Sequence, residues 1–80
     1  MVKLRPDRSL GMNIQKARKN KGMTQEQVVA KLQLMGMEIT RSTYAKIETD
    51  RMNIRVSELI ALSMIFGVDF NFFFDGLTIE

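Results

Sequence analysis

Ile14 and Ala17, then Val28 and Leu32, then Tyr44 and Ile47 stand three or four residues apart. That spacing lines one face of a helix, and Lys21-Gly22 and Gly36 punctuate the stretches that hold these residues. A first helix is expected from about Gly11 or Met12 to Asn20, with Ile14, Ala17 and Arg18 on one face and Gln15, Lys16 and Lys19 elsewhere. Gly22 suits the left-handed residue past its last turn. Thr24 with Gln27 three residues on reads as a capping box that restarts the chain as a second helix. Val28, Leu32 and Met35 should form its buried stripe, flanked by Val29, with Gly36 as the stop.

Met37-Glu38-Ile39 leads to Thr40, whose hydroxyl can accept an orphan N–H of a third helix. Tyr44 and Ile47 give this helix its inner face; Arg41, Ser42, Ala45 and Lys46 fall largely on the other. Two helices joined by a few residues around a glycine form a helix-turn-helix, with the second as reader. Long donors at the reader's N-terminus suit base edges in a DNA major groove, although an ordinary solvated face has the same composition. A polar loop, Thr49 to Ile54, precedes a fourth helix from near Ser57 to Phe66, ended by Gly67. It is apolar nearly all round, so it should be central or covered by a partner. Asp69 can cap a short fifth helix, Phe70 to Phe74, which holds four of the five Phe of the chain. Phe70, Phe73 and Phe74 are expected inside, and Phe72 outside as a subunit contact. Residues 1–10 read as a basic arm, and Leu77-Thr78-Ile79 in the tail 77–80 alternates like a short strand.

Composition narrows the function. Eighty residues make one domain with a modest core. There is no cysteine and no histidine, which removes the disulfide, the thiolate, the commonest general base and the commonest metal ligand. No nucleophile–base constellation stands out, so an enzyme is not expected, and neither is a cofactor. No apolar run has the length of a membrane span, and the basic start lacks the apolar core of an export signal, which favours the cytoplasm. Residues 1–23 hold seven Lys/Arg and one acid, whereas residues 56–80 hold four acids and no base. A basic front with an acidic back suits one-sided contact with a polyanion.

Taken in order, "NIQKARKNKGMTQEQVVAKL", "TRSTYAKIE" and "SELIALSMIFGVDFNFFF" resemble the phage Cro/repressor type of helix-turn-helix protein, the XRE family. The resemblance runs from Gly11 to Gly76 and implies an all-α bundle of five short helices, a lambda repressor-like DNA-binding domain. It implies a sequence-specific regulator of transcription, expected to be a repressor and a homodimer joined through the Phe-rich helix, on an inverted-repeat operator in double-stranded DNA. Gln25 takes the place of a glutamine that sits on a phosphate and against the reader helix. Arg41, Ser42, Ala45 and Lys46 take positions that face base edges or nearby phosphates, and Thr40 and Thr43 take backbone positions. Arg18 and Glu48 match a partly buried ion pair between the first helix and the end of the third.

The chain departs from the family in three places. Eight residues, Gln33 to Thr40, separate Leu32 from Arg41, about five more than usual, so an extra helical turn or a longer connection is expected. Asp50 and Met52 stand about where the family has glycine and a phosphate-binding arginine, leaving Arg51 and Arg55 to substitute. Ile54 replaces a proline before the fourth helix. With the Phe-rich helix and the acidic C-terminal third, these changes support an alternative: a protein-interaction module, antitoxin or adaptor, on the same scaffold.

Overall fold

The computed structural model describes residues 9–77, and five helices form there: α1 Leu10–Asn20, α2 Gln25–Leu34, α3 Arg41–Glu48, α4 Val56–Phe66 and α5 Phe70–Phe74. The order and number agree with the sequence reading. Ser9 caps α1 by accepting the Met12 N–H at 3.0 Å, so this helix starts earlier than expected, and Ser9 and Leu10 belong to the fold rather than to the arm. The rest of the arm, residues 1–8, and residues 78–80 of the strand-like tail lie outside the described residues. The capping box of α2 is present in both directions: Thr24 accepts the Gln27 N–H, and Gln27 accepts the Thr24 N–H.

Ile14, Val28, Leu32, Tyr44, Leu62 and Phe73 meet at the centre of the bundle. α1 packs on α3 and α5, while α2 packs on α3 and α4. The expected inner faces of α1 and α3 are observed. The stripe of α2 holds for Val28 and Leu32, with the flanking Val29 also buried, but one expectation fails: Met35 is the C-cap residue and stands 40% exposed. The chain leaves the helix at Leu34, one residue before Met35, so the Met35 side chain never reaches the stripe. No extra turn of helix forms; residues 35–40 make a longer connection instead. Ile39 anchors that connection in the core, and the Gln33 side chain donates to the Ile39 carbonyl at 3.0 Å.

The Phe-rich helix also differs from expectation. Phe73 is buried and Phe72 packs against the core, with the two rings edge to face. Phe70 and Phe74 are the exposed ones, at 40% and 48%. On a helix of only five residues, neighbours 72 and 73 straddle the side facing α1, and 70 and 74, four apart, share the other. Asn13 fixes this orientation from α1, donating to the carbonyls of Phe73 and Asp75 at 2.8 and 2.9 Å. α4 is half core and half surface: Leu59, Ala61, Leu62 and Phe66 are buried, and Val56, Ile60 and Met64 are not.

Candidate nucleic-acid interface

α3 is held at its C-terminal end. Arg18 of α1 donates from Nε to Glu48 Oε2 at 2.7 Å and from Nη2 to Oε1 at 3.1 Å, and its Nη1 donates to the Met23 carbonyl. Gln25, the first residue of α2, donates from Nε2 to Glu48 Oε1 at 3.0 Å. One carboxylate therefore joins three helices, and it is fully buried. Burial disfavours its charge, but the hydrogen bonds, chiefly those from Arg18, outweigh that and hold the Glu48 carboxyl below the usual carboxylate range. The same pairing raises Arg18 further. The Tyr44 hydroxyl is buried with no hydrogen bond of regular geometry, and burial above all pushes its pKa far up, so it stays neutral.

A second lock was not visible in the sequence pattern. Gly11 lies so close to the end of α3 that a Cβ there would stand 2.5 Å from the Ile47 carbonyl oxygen and 2.7 Å from that of Glu48. The Gly11 N–H donates to Asp50 Oδ1 at 3.0 Å. Asp50 has φ 60°, the left-handed region where glycine would be at ease. At this point the family's usual glycine gives way to a residue whose carboxylate satisfies the start of α1. The signal was present as a departure, but its partner, 39 positions away, was not.

The N-terminal end of α3 is the opposite. Thr40 caps it, accepting the Thr43 N–H at 3.2 Å, with the two hydroxyls 3.1 Å apart. Arg41, Ser42 and Lys46 are exposed, and Thr43 and Ala45 are half-buried. Arg41 has one loose neighbour, Glu26 Oε1 at 3.6 Å from Nε, with both side chains mostly in solvent; such a contact is screened and weak. The side chains of Gln25 and Glu26, at the start of α2, thus reach residues at the two ends of α3. Arg51 lies at the far end: its N–H donates to the Lys46 carbonyl and its Nε to the Thr49 hydroxyl. Since α3 spans about 12 Å, Arg41 and Ser42 share one locality and Arg51 occupies another. Arg55 is exposed at the N-cap of α4, its N–H donating to Glu58.

This is a helix-turn-helix: a capped supporting helix, a connection, and a second helix gripped by one end and presented by the other. The family profile described as Helix-turn-helix matches residues 14–73, and the chain belongs to that Cro/C1-type, XRE family of DNA-binding regulators. No curated protein and no solved structure matches it. No helix among the described residues is long and apolar enough to cross a membrane, and no cluster of acidic side chains there could hold a metal.

Proposed function

We propose that the protein is a sequence-specific, double-stranded DNA-binding repressor of transcription that works as a homodimer, with α3 in the major groove. The observation that carries this reading is the asymmetry of α3, whose exposed donors Arg41 and Ser42 sit on an end that the rest of the fold leaves uncovered. Arg41 reads guanine O6 and N7 as a fork, worth about 1–3 kcal/mol of discrimination. Ser42, Ala45 and Lys46 follow the groove. Thr40, Thr43 and Arg51 meet phosphates, which set register and supply most of the salt-dependent affinity. Gln25 serves both sides: its amide nitrogen has two hydrogens, one on Glu48 and one for a phosphate. A two-fold dimer then takes an inverted repeat with half-sites about one helical turn apart.

The test is selection from a random duplex library by the purified protein at two salt concentrations. An enriched inverted repeat supports the reading. Binding that vanishes with salt and enriches nothing would overturn it in favour of the second reading, an interaction module such as an antitoxin or adaptor. That alternative draws on the exposed Phe70 and Phe74. Its diagnostic substitution is Phe74→Ser, because Phe72 packs on the core and its loss would disturb the fold.

A further inference from the structure

An apolar surface that the DNA reading does not use lies on the exposed side of α4 and the end of α2. Val56, Ile60 and Met64 are four residues apart on α4 and stand 71%, 45% and 68% exposed. Beside them, Leu34 at 88% and Met35 at 40% edge a shallow depression shared with Met64. Leu34 and Met35 end α2 just where the chain enters its lengthened connection. Single exposed apolar residues need no explanation, but a contiguous row at helix spacing does.

We infer that this face, centred on Ile60 and Met64, packs against the same face of a second copy, with α4 antiparallel to its counterpart across a two-fold axis. An isologous contact must be self-complementary, and charge decides which face qualifies. α1 carries Lys16 and Lys19 outward, α2 Glu26 and Lys31, and α3 Arg41 and Lys46. Between Val56 and Phe66, by contrast, the only charged side chain is Glu58, which is buried and accepts the Arg55 N–H. α4 itself therefore brings no like charges into opposition, and Lys31, which lines the Leu34–Met64 depression, can carry its charge to solvent on its long stem. The charges at the ends of α4 differ in sign: Arg55 precedes it and Asp69 follows it. Antiparallel packing sets each Arg55 near the second copy's Asp69, and near the negative C-terminal end of that copy's α4. α5 is less suited to the task. It has five residues, about 8 Å of helix, and it buries Phe73 and half-buries Phe72 within its own chain. α4 has eleven residues, about 16 Å, and Leu34 and Met35 widen its face toward the about 800 Å² per partner of a stable interface.

The inference locates the dimer contact of the reading above. Its test needs no DNA, so its failure leaves DNA recognition standing. Sedimentation equilibrium of the full chain, over a wide range of concentration, is expected to show a monomer–dimer equilibrium. Met64→Glu should weaken association about tenfold or more, and Ile60→Lys should do the same. Thermal melts followed by circular dichroism should show helical, cooperatively folded monomers, because both side chains point outward. Arg55→Glu should weaken the dimer less, and Phe70→Ser with Phe74→Ser should leave it intact. A monomer at every concentration would overturn the inference. So would a dimer that survives both α4 variants but dissociates when Phe70 and Phe74 are changed.

Discussion

The two ends of α3, separated by about 12 Å of helix, are built for different work. At the C-terminal end, Glu48 is buried and bonded to α1 and α2, and the Gly11 backbone presses against the last carbonyls. At the N-terminal end, Arg41 and Ser42 stand in solvent with one loose neighbour between them. A reading surface needs side chains free to bond a base and a backbone that does not move as they do so. In our proposal this fold supplies the second at one end so that the first is available at the other.

The sharpest way to break that division is to release the anchored end. Glu48→Ala leaves Arg18 in a mostly buried site without its counter-charge, and about 3–5 kcal/mol of stability should be lost in urea unfolding. Acid attacks the same carboxylate more gently. The folded pKa of Glu48 lies below its unfolded value, so its contribution is complete above the ordinary carboxylate range. It is lost as pH falls through the lower folded value. Urea unfolding at successively lower pH should show this loss, and Glu48→Gln should flatten that part of the slope. Gly11→Ala puts a methyl group on two carbonyl oxygens. A cost of about 1–3 kcal/mol is expected in thermal melts, with the helix content retained.

Gln25→Ala sharpens the comparison because Gln25 belongs to the anchor and, in our proposal, to the phosphate clamp. It should cost about 1 kcal/mol of stability and weaken all DNA sites alike, as read by melting and by binding to several sequences.

Much of the architecture was legible because it is local. Thr24 with Gln27, Thr40 before a run with Tyr44 and Ile47, and Gly22 and Gly36 as stops each act within a few residues, and each holds. The Arg18–Glu48 pair came from the family resemblance and is observed. What was missed depends on distant partners. Asp50 looked like a damaged phosphate loop, yet its carboxylate holds Gly11. Asn13 carried no signal until α5 lay beside it. The order of the phenylalanines was misjudged because a one-turn helix has too little periodicity to say which side faces inward. Met35 was placed in a stripe that ends before it: α2 stops at Leu34 and Met35 is its C-cap, so spacing alone ran one residue past the packed helix. The exposed donors of α3 were identified by type and position, but contacts with DNA have no counterpart inside the chain.

The most direct test of the division concerns Arg41 alone. Once an operator is selected, the affinity of wild type and of Arg41→Ala should be measured on every single base-pair substitution of it. The expected result is loss of preference at one base pair in each half-site, with discrimination elsewhere retained and the melting temperature unchanged. A loss spread evenly over all positions, or a preference untouched by the substitution, would contradict the claim that the free end of α3 does the reading.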